Sequence, residues 1–166
     1  MACGEGRNAI WLANHGWTVT AADFSGVALS KAAQLADTML EPGASPIRWV
    51  QADATEHGPE QSDYDLVIVA YLQLPSEQRR AALTRAAAGV SPGGHLVVVA
   101  HDSSNLTDGV GGPQDPAVLY TPGDVLADVE DSALSILRAE RVAREVTIDG
   151  IGHTAWDALV HLVSAS

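Results

Sequence analysis

The stretch Ala2-Cys3-Gly4-Glu5-Gly6-Arg7-Asn8-Ala9 decides how the rest of this chain is read. Gly4 and Gly6 let the backbone turn tightly and come close to a ligand, and a helix beginning near Arg7 offers unpaired N–H groups at its start. Gly4, Gly6 and Ala9 also satisfy the spacing G-x-G-x-x-G/A. Asp23 follows at about the 20-residue distance at which an acid meets ribose hydroxyls in nucleotide-binding folds. On this motif alone a nicotinamide-dependent oxidoreductase remains an open reading.

Outward from that motif, apolar runs alternate with helical segments. A helix from Arg7 to His15 is expected to stop at Gly16, and Trp17–Ala22 reads as a strand ending at Asp23. Ser25 is a good N-cap for an Ala-rich helix reaching Leu40, broken by Pro42-Gly43. Ile47–Gln51 is a second strand, closing just before Asp53. Asp65–Tyr71 contains Leu-Val-Ile-Val-Ala, apolar on both faces, as in a central strand of a parallel sheet. Pro75 opens a helix through Val90, with proline in its first turn. Pro92-Gly93-Gly94 then turns into an apolar strand, His95–Ala100. Asp102–Thr121 is a long Gly/Pro/Asp-rich loop of the kind that is usually functional. A short helix from Pro122 and two strand-like runs, Ala139–Ile148 and Thr154–Val163, follow. A turn at Asp149–Gly152 joins those runs as an antiparallel hairpin. The pattern predicts one α/β domain over residues 1–166: a doubly wound, mostly parallel sheet capped by a C-terminal hairpin.

Composition narrows the function. The chain has 166 residues, is 46% hydrophobic and 18% charged, and carries a formal charge of −12. Lys31 is its only lysine, so the basic face that nucleic acid requires is missing and no nucleic-acid partner is expected. A membrane-surface role is disfavoured for the same reason. No apolar run approaches the ~20 residues of a transmembrane helix, and the first residues lack a secretory leader pattern. A cytoplasmic location is the expectation. Cys3 is the only cysteine, which excludes an internal disulfide and a cysteine-based zinc site. A small acceptor molecule stays open as partner, and an open sheet edge makes a homodimer plausible.

Taken together, ACGEGRNA, TAADFS, QADA and DLVIVAYLQLP resemble the successive signatures of class I S-adenosylmethionine (SAM) methyltransferases, in the family's order. The nearest flavour is the small bacterial branch that includes tellurite-resistance-type enzymes. The resemblance implies a Rossmann-like fold with SAM as cofactor. Ala2, Gly4 and Gly6 match the loop passing under the methionyl part, and Cys3 and Asn8 are carried with it. Asp23 matches the acid holding the ribose hydroxyls, with Phe24 beside the adenine. Asp53 and Ala54 match adenine-side positions. Ala70 closes the strand where the cofactor meets the acceptor, with Tyr71 on the acceptor side. In the family a strand precedes the glycine loop, whereas here Met1 stands where that strand would end. The expectation is a fold lacking its N-terminal segment and first strand, or one that takes that strand from a partner chain.

A hydroxyl acceptor must lose a proton, which favours a nearby base. His101 and Asp102 end a strand at the carboxyl edge, where open α/β sheets bind ligands. His101 is the candidate general base, and Asp102 would orient it or bind acceptor hydroxyls. Asn105, Gln114, Asp115 and Tyr120 are loop residues suited to gripping a polyhydroxylated molecule. No metal is expected, because two adjacent residues make a poor ligand set. Arg79, Arg80 and Arg85 read as the solvated face of a covering helix. O-methylation of a sugar-like acceptor is the favoured reading. A thiol or chalcogen acceptor, a nicotinamide oxidoreductase and an inactive SAM-binding remnant are the alternatives.

Overall fold

The computed structural model describes residues 1–59 and 62–166. They divide into two compact units, Met1–His57 and Gly58–Ser166.

The first unit begins with the glycine loop and α1 (Arg7–Asn14), then β1 (Val19–Asp23), α2 (Gly26–Met39) and β2 (Ile47–Gln51). β1 and β2 pair in parallel, from Val19 opposite Ile47 to Asp23 opposite Gln51. The Ser25 hydroxyl accepts the Ala28 N–H at 3.2 Å, so the expected N-cap starts α2. Leu29, Ala32 and Ala36 form the buried stripe of α2 at helical spacing. Small alanines let this helix come close to its neighbours. The glycine loop runs alongside β1, with the Cys3 N–H donating to the Ala22 carbonyl at 3.0 Å.

The second unit holds β3 (Tyr64–Ala70), α3 (Ser76–Ala88), β4 (Val90–His101), α4 (Pro122–Asp128), β5 (Leu134–Ile148) and β6 (Ile151–Ser164). Its sheet has the order β3-β4-β6-β5. β3 and β4 are parallel, whereas β6 runs antiparallel to both β4 and β5. The sheet is therefore mixed, because the terminal hairpin inserts its second strand next to β4. Asp149 (φ 51°) and Gly150 (φ 79°) both adopt positive φ between paired Ile148 and Ile151. That is the signature of the two-residue I′ turn, which Asp-Gly favours.

Three expectations shift. Pro92-Gly93-Gly94 does not precede β4 but lies within it: Tyr64 pairs with Val90 and Leu66 with His95, so the extra residues bulge out of the ladder. β3 was expected to be central, yet it ends the strand order of its unit, burying Val67 and Val69. Arg79 is not on a solvated face. It is 6% exposed, its Nε donates to Asp128 Oδ2 at 2.6 Å, and its guanidinium stacks over the Tyr120 ring. Arg80 does stay exposed, reaching Asp128 Oδ1 at 3.4 Å. Among the described residues no helix is long and apolar enough to cross a membrane.

Candidate functional site

In the first unit the glycine loop is built around two different demands. Gly4 (φ 53°) has nothing within 4 Å of where a Cβ would stand, so its backbone faces open space. Gly6 (φ 81°) is the opposite case: a Cβ there would meet Trp49 Cη2 at 2.7 Å and the Ala32 methyl at 2.9 Å. Gly6 thus seats the loop against α2 and β2, while Gly4 leaves room for a ligand. Asp23 joins loop and strand. It is buried; its Oδ2 accepts the Gly4 N–H at 2.8 Å and its Oδ1 the Ser25 N–H at 3.0 Å. A carboxylate has about four lone-pair sites, so acceptor capacity remains for vicinal hydroxyls.

Ala2 takes a left-handed φ of 53°, and Cys3 is half-buried, its thiol pushed up by that burial and then by Asp23. Asn8 is an exposed residue in the first turn of α1. Phe24 is 75% exposed just after β1. Asp53 is exposed and its Oδ1 accepts both the N–H and the hydroxyl of Thr55, each at 2.8 Å; these two bonds hold its carboxyl below the usual value. Ala54 follows in the same turn. Open glycine backbone, a buried acid with spare acceptor capacity and an exposed aromatic beside it suit a nucleoside with a free ribose.

In the second unit, β3 ends at Ala70 and the next residue, Tyr71, turns with φ 54°. Its hydroxyl donates to Asp157 Oδ2 at 3.0 Å, and its ring sits 4.7 Å from that of His101. His101 ends β4, paired in register with Asp157 on β6. Its own N–H donates to the Gln73 side-chain oxygen at 3.1 Å. Gly112 (φ 77°) packs on the ring, where an added Cβ would meet His101 Cγ at 2.7 Å. Nδ1 of His101 is buried without a hydrogen-bond partner among the described residues, 3.6 Å from Asp157 Oδ1. Burial holds this imidazole below its ordinary value of 6.5, against the upward pull of Asp157. Arg144 on β5 grips Asp157 through Nε to Oδ2 at 2.7 Å and Nη2 to Oδ1 at 3.2 Å.

The remaining candidates make bonds of their own, none of them to His101 or Asp157. The Asp102 carboxylate accepts the N–H and hydroxyl of Ser104 and caps a 3-10 turn, so Asp157, not Asp102, is the carboxylate facing the imidazole. Asn105 is buried and pairs both ways with the Trp156 backbone, at 2.6 and 2.7 Å. Tyr120 is 1% exposed, its hydroxyl donating to the Leu72 carbonyl at 2.9 Å, and burial pushes that phenol well up. It is a core residue of this unit. Asp115 caps a second 3-10 turn through the Ala117 N–H, and Gln114 is exposed beside Gly112. Sequence reasoning missed Asp157 and Arg144. A signal existed: in Ala155-Trp156-Asp157-Ala158-Leu159 an acid interrupts a strand that is otherwise apolar.

The methyltransferase domain family model matches residues 1–94, and the chain belongs to that family. A comparison with curated proteins finds no match. Among solved structures, a SAM-dependent methyltransferase from Methanosarcina mazei aligns with a TM-score of 0.76 at 15% identity, over 99% of this chain and 90% of its own. The N-methyltransferase NodS of Bradyrhizobium japonicum, in complex with S-adenosyl-L-homocysteine, aligns with a TM-score of 0.72 at 21% identity, over 99% and 76%. Magnesium protoporphyrin IX methyltransferase of Synechocystis with bound SAM gives 0.69 at 21% identity, over 99% and 67%. At these identities the likeness establishes the Rossmann-like methyltransferase fold.

Proposed function

We propose that the chain moves a methyl group from SAM to a hydroxyl oxygen of a small, sugar-like or otherwise polyhydroxylated cytoplasmic acceptor. The observation that carries this reading is His101: a half-buried imidazole at the carboxyl end of β4, held below its ordinary pKa by burial. Such a ring is neutral at pH 7 and able to take a proton from a hydroxyl.

When bound, SAM supplies a methyl carbon already activated by its sulfonium, so the chain's own task is positioning and deprotonation. Asp23 is the residue assigned to the ribose hydroxyls, with Ala2, Cys3, Gly4, Gly6 and Asn8 forming the loop and start of α1 beneath the amino-acid end. Phe24, Asp53 and Ala54 are assigned to the adenine, and Ala70 to the end of β3. On the acceptor side His101 takes the hydroxyl proton at Nε2. Tyr71, Gln114 and Asp115 offer an exposed ring edge and exposed polar groups to the acceptor. The −12 charge disfavours a polyanionic acceptor.

The test uses SAM labelled at the methyl, offered with a panel of polyhydroxylated compounds and, separately, simple thiols. Label is expected in the hydroxylated panel, lost in His101→Ala while SAM binding persists. Label entering thiols alone, or turnover unchanged in His101→Ala, contradicts the reading.

A further inference from the structure

Three side chains from three strands or strand ends of the second unit converge on one carboxylate, that of Asp157. Tyr71 comes from the end of β3, His101 from β4, Arg144 from β5, and Asp157 itself from β6. Asp157 is 3% exposed, and a buried carboxylate needs donors. It has them on three counts: both Arg144 bonds and the Tyr71 hydroxyl. The third neighbour, His101, is held close without a bond. Its ring has Tyr71 at 4.7 Å between centroids and Gly112 packed so tightly that no side chain could stand there. Its buried Nδ1 faces Asp157 Oδ1 across 3.6 Å, longer than a hydrogen bond.

We infer that Asp157 is the positioning residue for His101, fixing the tautomer that carries its proton on Nδ1 and thereby leaving Nε2 free to accept. This rests on the reading of His101 as the base. The buried Nδ1 has a carboxylate oxygen as neighbour, so a proton on Nδ1 lowers the cost of that burial, whereas a bare Nδ1 lone pair would face negative charge. When the acceptor's O–H proton moves to Nε2, the ring gains a positive charge. The gap to Oδ1 can then close to an ion pair, and the proton later leaves from Nε2 to solvent. Arg144 sets the opposite limit. By engaging both oxygens of Asp157 it weakens the carboxylate's pull on His101, so the ring stays neutral until the acceptor delivers its proton. Tyr71 keeps its own proton, since burial and Asp157 both push its phenol up, and it holds Oδ2 in place.

The experiment follows the two ring nitrogens of His101 by long-range proton–nitrogen NMR through a pH titration of the full chain. In the native protein Nδ1 should show the protonated nitrogen shift and Nε2 the unprotonated one, with a midpoint below 6.5. Asp157→Asn should mix or invert the tautomers and move the midpoint further down, because it removes negative charge beside the ring. Arg144→Gln should keep the Nδ1–H tautomer and move the midpoint up. A purely structural Asp157 would leave the tautomer of His101 unchanged in Asp157→Asn, so the nitrogen shifts and not the midpoints alone carry the test. If Asp157→Asn does not fold, the native tautomer and the Arg144→Gln midpoint still decide. A native ring protonated on Nε2, or an Arg144→Gln midpoint that falls or stays fixed, overturns the inference. Turnover in His101→Ala is read separately, so loss of this inference leaves the methyltransferase reading standing.

Discussion

At Gly6 the backbone leaves no space for a side chain. The position combines φ 81° with Trp49 and Ala32 inside 3 Å of an added Cβ. Gly6→Ala is expected to cost about 1–3 kcal/mol from overpacking, read as a lowered urea midpoint. Gly4→Ala, with open space and only its φ of 53° against it, should cost clearly less. Equal losses at the two positions would contradict the division of labour between them. The glycines were legible as a motif because their spacing is local, and Asp23 because a strand ends there. Trp49 as the wall behind Gly6 was not legible, since nothing in the spacing says which of four tryptophans packs on the loop. Asp157 escaped for a related reason: its meaning comes from Arg144 and His101, which only strand pairing brings together.

Elements of the second unit show what a helix pattern conceals. α4 begins with a capping box, in which the Thr121 hydroxyl accepts the Asp124 N–H while the Asp124 carboxylate takes the Thr121 N–H. Burial opposes, but the Thr121 bonds prevail, and the Asp124 carboxyl titrates below its usual value. Further along, Asp128 anchors α4 to α3 through Arg79, with side-chain exposures of 7% for Arg79 and 2% for Asp128. Removing one member of such a buried pair leaves an uncompensated charge and costs about 3–5 kcal/mol. Removal of a cap hydroxyl costs about 1 kcal/mol. Asp128→Asn should therefore lower the urea midpoint several-fold more than Thr121→Ala, and the reverse order would show the pair to be dispensable. The helix α3 was readable from Pro75 and its alanines, but the fate of Arg79 was not. Its partner lies 49 residues away, and an arginine among alanines gives no local sign of whether it meets water or an aspartate. Pro92-Gly93-Gly94 misled in the same manner: those residues usually end strands, and here they form a bulge tolerated by the ladder.

At the scale of the whole chain, the α/β alternation and terminal hairpin were visible because their periodicities and the Asp149-Gly150 turn are encoded over short distances. The described residues form two compact units, Met1–His57 and Gly58–Ser166. The first unit carries the glycine loop and Asp23, and the second carries His101 and Asp157. Under the proposed function, substitutions in the first unit address the donor and those in the second the acceptor. Titration of the isotopically labelled full chain with S-adenosyl-L-homocysteine, followed at the amides of Gly4, Gly6 and Asp23, tests the central claim most directly. Saturable shifts at those amides, reduced by Asp23→Ala and not reproduced by NAD, are predicted. Silent amides with S-adenosylhomocysteine, or shifts that NAD alone produces, would contradict it.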